Sequence, residues 1–169
     1  MSATPSRTDV LAWVSTVVRL VLGGILVTAG ALKAIAPQST VAAVRAYQLL
    51  PDALETLVGW ALPFAEIALG LLLMAGIATR ALAVLSAGLL VIFIVAVISA
   101  AARGLSIDCG CFGGGGEVAA GHTAYGVEIV RDLGFLMLAL WLVWHPRSRL
   151  ALGRTDREND VEEVSGGRS

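Results

Sequence analysis

The residues best suited to chemistry lie in one short segment, Asp108-Cys109-Gly110-Cys111-Phe112-Gly113, which holds both cysteines of the 169-residue chain. Cys109 and Cys111 stand one residue apart, and Gly110, Gly113 and the glycines that follow free the backbone angles a very small ring or an approaching partner demands. Two thiols this close can cycle between dithiol and disulfide through a mixed disulfide with another protein. Two other readings stay open. A purely structural disulfide would constrain the unfolded chain by only about 1.6 kcal/mol before strain is subtracted, and strained bonds are the exchangeable ones. A metal site could draw on Asp108, Cys109, Cys111 and His122. Structural zinc sites, however, space their cysteine pairs by two to four residues, and no metal is assigned. Asp108 opposes thiolate formation, while Arg103 and the amino end of a following helix favour it.

The elements that must hold this segment are those of a membrane protein. Apolar residues make up 57% of the chain and charged ones 15%, against about 25% charged in soluble domains. Of the 25 charged side chains, 12 lie outside residues 11–145. In water, so apolar a middle would expose large patches. The net charge of −1 gives no pull toward nucleic acid. Four runs are long enough to cross a bilayer, at about 11–32, 57–79, 81–102 and 124–145. The expected fold is therefore all-α, an integral membrane four-helix bundle. Its last span must begin near Ala124–Gly126, because the uncharged stretch 133–144 is too short alone. That draws Glu128, Arg131 and Asp132 into or beside the membrane. The first run could instead be a cleaved signal peptide ending at Ala29-Gly30-Ala31, but its length and the single Arg7 before it favour retention.

Four spans put both ends on one side. That side would hold Arg7, Arg80, Arg147, Arg149, Arg154 and Arg157, against Lys33, Arg45 and Arg103 on the other. The positive-inside rule then makes the tails 1–10 and 147–169 cytoplasmic and the cysteine loop extracytoplasmic, where disulfides persist. The 11–146 membrane domain carries one more element in its first outer loop. Ser39 or Thr40 can cap a short helix there, with Val41, Val44 and Gln48 on one side, Tyr47 and Leu50 extending it and Pro51 stopping it. This reads as an amphipathic helix in the outer interface. Residues 147–169 begin basic, turn acidic and read as a disordered tail.

Four charges fall within the spans: Arg19, Glu66, Arg131 and Asp132. Each costs about 2.5–3.5 kcal/mol at the bilayer centre on insertion scales, so unpaired placement toward lipid is disfavoured. They read either as a buried ion-pair network that fixes packing or as a polar site serving the cysteines, with room for a quinone. By counted depth Arg19 and Glu66 can meet, Arg131 lies nearer the cysteine loop, and Glu128 and Arg131 can pair at i, i+3. Gly23, Gly24, Gly30, Ala61 and Ala65 suit close helix packing.

Several of these motifs occur together in a known family. Gly30-Ala31-Leu32-Lys33, Tyr47-Gln48-Leu49-Leu50-Pro51, Pro63-Phe64-Ala65-Glu66, Arg103-Gly104 leading into Asp108-Cys109-Gly110-Cys111-Phe112-Gly113, and Arg131-Asp132 resemble the MauE branch of the DoxX-like membrane proteins. The resemblance spans roughly residues 15–145, and its most specific part is Cys-Gly-Cys-Phe-Gly. It implies a four-helix membrane protein of the methylamine-utilisation type, associated with maturation of the disulfide-rich methylamine dehydrogenase. It also implies an extracytoplasmic thioredoxin-like partner or a disulfide-containing client. The expected function is a membrane redox-accessory protein in which Cys109 and Cys111 exchange disulfides. With two cysteines in the chain, an internal relay between two pairs is excluded. The alternative is a non-catalytic membrane scaffold or anchor that assembles a redox complex.

Overall fold

The computed structural model describes residues 7–110, 115–117, 123 and 125–146. The order is α1 (Arg7–Ile35), α2 (Pro37–Ala46), α3 (Asp52–Ala75), α4 (Thr79–Ala102), β1 (Ile107–Asp108), β2 (Gly116–Glu117) and α5 (Tyr125–Trp144). The chain is mostly helical. Among the described residues, three helices are long and apolar enough to cross a membrane: Asp9–Ile35, Asp52–Ala75 and Thr79–Ala102. The 20-residue α5 lies where the fourth run was expected but carries Glu128, Arg131 and Asp132. The expected all-α class needs one amendment, since β1 and β2 form a two-residue antiparallel ladder with Ile107 opposite Glu117 and Asp108 opposite Gly116. The tail 147–169 lies outside the described residues.

Local chemistry sets the helix ends. Pro51, extended at φ −65° and ψ 148°, precedes α3, and Asp52 and Glu55 place negative charge at its amino end. At the other end Gly76 takes φ 76°, and its N–H donates to the carbonyls of Leu72 and Leu73, the left-handed stop that glycine permits. The turn therefore lies before Thr79, and Arg80 belongs to the first turn of α4. In α1 the helix continues past Leu32 to Ile35, so Lys33 is a helical residue rather than part of an outer loop, and it is buried. α2 starts earlier than a Ser39 or Thr40 cap would place it, with Pro37 in its first turn. It buries Thr40, Val41, Ala43 and Ala46, while Gln48 is exposed.

Packing concentrates along two antiparallel pairs, α1 with α3 and α4 with α5. Leu22, Leu73, Leu82, Leu90 and Leu142 belong to one core drawn from α1, α3, α4 and α5. Outward, large apolar residues such as Leu57, Phe64, Ile92 and Val95 are exposed, as expected of surface that meets lipid rather than water. The α1–α3 seam rests on residues without side-chain bulk. A Cβ on Gly70 would lie 2.6 Å from the Gly23 carbonyl oxygen, and one on Gly30 would lie 2.6 Å from that of Pro63. The close partners are backbone atoms, so relief requires the helices to separate. Gly24, by contrast, meets nothing within 4 Å, and is not part of the seam.

Gly70→Ala is accordingly expected to destabilise the detergent-solubilised protein by on the order of 1–3 kcal/mol through overpacking. Gly24→Ala is expected to be neutral or to stabilise by about 0.5–1 kcal/mol, because helical alanine loses less entropy than glycine. Parallel thermal unfolding of the two variants checks the contrast. Equal effects would mean that α1 and α3 do not approach this closely.

Candidate functional site

The cysteine segment is presented by the β1–β2 hairpin, which leans on α2. Gly110, at φ 65°, donates its N–H to Asp108 Oδ1 at 3.3 Å, so the aspartate folds the chain back on itself just after Cys109. Across the hairpin Gly115 takes φ 96°, and a Cβ there would lie 2.7 Å from both the Ala43 methyl and Gly110 Cα. The neck of the loop is thus closed by Gly110 against Gly115, and Gly115 presses on Ala43 of α2. Cys111, Phe112, Gly113 and His122 lie outside the described residues.

Two further side chains anchor this platform. The Tyr125 hydroxyl, at the start of α5, donates to the Leu105 carbonyl and accepts the Ile107 N–H at 3.3 Å, pinning β1 to α5. Arg103 at the end of α4 donates to the carbonyls of Tyr47, Gln48 and Ser99. It therefore joins α4 to the end of α2, where the sequence offered it as the cation beside the thiols. That place belongs to Arg131. Its Nη2 lies 3.7 Å from Cys109 Sγ, within hydrogen-bonding range for sulfur. A guanidinium there favours the thiolate, the nucleophilic form of cysteine.

Arg131 is itself held by its neighbour. Nε and Nη2 each lie 3.0 Å from Asp132 Oδ1. Adjacent residues on a helix point about 100° apart, but the arginine side chain is long enough to turn back onto Asp132. Asp132 is buried, whereas the Arg131 side chain keeps 30% of its surface exposed. Glu128, offered as an i, i+3 partner of Arg131, instead joins Asp108 and Cys109, with one ligand-type atom from each lying within 4.8 Å of the others. Two carboxylates and a thiol could attract a cation, but the Arg131 guanidinium already touches the sulfur and repels a second positive charge.

Glu66 belongs to a different place. Both of its carboxylate oxygens accept from Lys33 Nζ, at 2.7 and 2.8 Å, in a pair with side-chain exposures of 1% and 4%. The Phe93 ring centroid is 5.6 Å from the same ammonium. Arg19 is buried in α1, but 14 residues before Lys33 on a helix rising 1.5 Å per residue puts it about 21 Å from that level. The meeting of Arg19 with Glu66 expected from counted depth thus gives way to Lys33, because α1 and α3 are in register through Gly30 and Pro63. Glu66, Arg131, Asp132 and Arg19, grouped in the sequence as one supporting site, occupy three places; of them Arg131 touches Cys109, and Asp132 holds Arg131. Lys33, counted from the sequence among the outer-side cations, and Glu128, offered as a partner of Arg131, both take other partners in the fold. Their signal was available, since each is a charge at or within an apolar run.

Comparison with curated proteins finds no match, and comparison with solved structures finds none. A family model described as methylamine utilisation protein MauE matches residues 11–145, which take in α2 to α5, all but the first four residues of α1, and the cysteine loop. The chain belongs to the MauE family.

Proposed function

We propose that this protein is a multi-pass redox-accessory protein of the cell membrane whose Cys109–Cys111 loop exchanges disulfides with an extracytoplasmic thioredoxin-like protein or a disulfide-bearing client. Membership of a methylamine-utilisation family supports an accessory role beside methylamine dehydrogenase maturation. The observation that carries the exchange reading is the 3.7 Å approach of the Arg131 guanidinium to Cys109 Sγ in a hairpin steadied by α2 and Tyr125. A thiolate stabilised on a rigid platform is what attack on a disulfide requires.

In this reading α5 is the fourth span of a DoxX-like bundle. Val127, Val130 and Met137 are more than two-thirds exposed, an apolar outward stripe, while Glu128 and Asp132 are buried. Both tails are then cytoplasmic and α2 lies at the outer interface. Cys109 and Cys111 are the exchanging pair, and Asp108, Gly110, Phe112 and Gly113 shape their loop. The Lys33–Glu66 pair fixes packing.

Cys111→Ser in intact membranes is expected to trap Cys109 in a mixed disulfide with a thioredoxin-like protein, released by reductant and visible on non-reducing gels. A membrane-impermeant thiol reagent applied to intact cells is expected to label the wild-type pair after mild reduction. If Cys109→Ser/Cys111→Ser sustains full maturation of the dehydrogenase, exchange is overturned and the protein acts as a scaffold.

A further inference from the structure

We propose that Glu128 is the proton acceptor and donor for Cys109 during disulfide exchange. The inference rests on the exchange reading above and assigns within it a residue whose place there is fixed by geometry. Glu128 lies in the first turn of α5 and is 93% buried, from a relative exposure of 7%. A carboxylate oxygen of Glu128, Cys109 Sγ and a carboxylate oxygen of Asp108 lie within 4.8 Å of one another, a separation that one water molecule bridges. Its Oε2 is buried and has no hydrogen-bond partner among the described residues. A buried polar atom left in that state costs about 1–3 kcal/mol or more, so its retention calls for a cause. Holding and releasing a proton beside a thiol is such a cause.

The surrounding charges leave that task to Glu128. From β1 comes Asp108, which is exposed to solvent and whose Oδ1 accepts the Gly110 N–H, whereas Glu128 is buried. On α5, Asp132 orients Arg131, and Tyr125 is committed to Leu105 and Ile107. At the end of α4, Arg103 serves backbone carbonyls. Between α1 and α3, Lys33 and Glu66 neutralise each other, as Arg45 and Glu55 do between α2 and α3. Arg131 stabilises a thiolate but cannot take the thiol's proton, since a guanidinium is already fully protonated and has no acceptor. Glu128 can take the proton and Arg131 the charge that remains.

The step balances without a further reagent. The Cys109 thiol proton passes to the Glu128 carboxylate, and the thiolate attacks one sulfur of the partner's disulfide. A new S–S bond forms as the partner's S–S bond breaks, and the departing thiolate takes the proton from Glu128. Displacement by Cys111 then closes the Cys109–Cys111 disulfide and frees a second thiolate, which takes the Cys111 proton. Two electrons have moved from this dithiol to the partner. In the opposite direction the same groups act in reverse.

The test separates proton transfer from field effects in the purified full-length protein. Rates are measured for iodoacetamide alkylation of Cys109 in a Cys111→Ser background, and for exchange with two disulfide probes. One probe is 5,5′-dithiobis(2-nitrobenzoate), whose weakly basic leaving thiolate departs readily without a proton; the other is glutathione disulfide, whose more basic leaving thiolate gains more from a nearby proton donor. Glu128→Gln removes a negative charge beside the sulfur, so alkylation is expected to hold or rise. Exchange with glutathione disulfide is expected to fall at least about tenfold relative to the aromatic probe. Glu128→Asp is expected to recover part of that loss. A merely structural role would move alkylation and both exchange rates together, and that pattern overturns the proposal. Should Glu128→Gln not fold, wild-type protein answers instead: exchange with glutathione disulfide is expected to slow in heavy water more than exchange with the aromatic probe, and equal slowing overturns the proposal. Wild-type protein that exchanges with neither probe refutes the exchange reading itself.

Discussion

Lys33→Met alone is expected to destabilise the protein by about 3–5 kcal/mol, and Glu66→Met alone by a similar amount. Both groups are almost wholly buried, and both Glu66 oxygens accept from the one ammonium. Removing either partner leaves a charge with no counter-charge, in a part of the chain that lipid surrounds rather than water. Lys33→Met/Glu66→Met is expected to recover most of the loss, because the pair's mutual attraction does little more than offset its own desolvation and two thioethers fill similar volume. The double variant also removes the ammonium near Phe93, a contribution of about 0.5–1 kcal/mol or more. Chemical or thermal unfolding of the four proteins in one detergent gives the coupling energy. Additive losses would show that the two groups are not paired in the folded protein.

That pair also shows what the sequence could and could not disclose. The four largely apolar runs place α1, α3, α4 and α5 to within about five residues at each end, since runs of that length and composition have few other uses. Lys33 escaped because a charge closing an apolar run reads as the first loop residue. Whether its stem turns inward depends on the gap beside it, and Gly30 against Pro63 sets that gap. Depth counting then chose Arg19 for Glu66, because the register between two helices is a tertiary fact that neither helix encodes alone. Glycines carried half of the register. Gly23 and Gly30 face Gly70 and Pro63, whereas Gly24 is chemically identical and meets nothing.

At the cysteine loop the residue types were legible and their arrangement was not. Two-residue strands are too short to give an alternating pattern, so the hairpin that aims Cys109 at α5 left no periodic trace. Without the hairpin, Arg103 and Arg131 are equivalent candidates for the cation beside the sulfur. The backbone resolves the choice: Tyr47 and Gln48 end α2 with carbonyls that take Arg103, and Tyr125 draws β1 toward the helix bearing Arg131. The position of Glu128 follows from the same hairpin.

Arg131→Met is expected to slow alkylation of Cys109 at neutral pH by about 10- to 100-fold, the range corresponding to a charged hydrogen bond of about 1.5–3 kcal/mol. Asp108 and Glu128 bring two carboxylates within 4.8 Å of the sulfur group, so without the guanidinium the thiolate would form against negative charge alone. Arg131→Lys keeps the charge but lacks the planar fork that reaches Asp132 Oδ1 through two nitrogens while touching the sulfur, and is expected to fall between. Because the Arg131 side chain is 30% exposed, added salt should narrow the gap between wild type and Arg131→Met. Arg131→Met also leaves buried Asp132 without its cation, so Arg131→Met/Asp132→Asn separates reactivity from stability. If the double variant recovers thermal stability while alkylation stays slow, the arginine acts on the sulfur. Recovery of both would make its contact with Cys109 incidental to an ion pair that only holds α5 in shape, and the exchange reading would lose the observation that carries it.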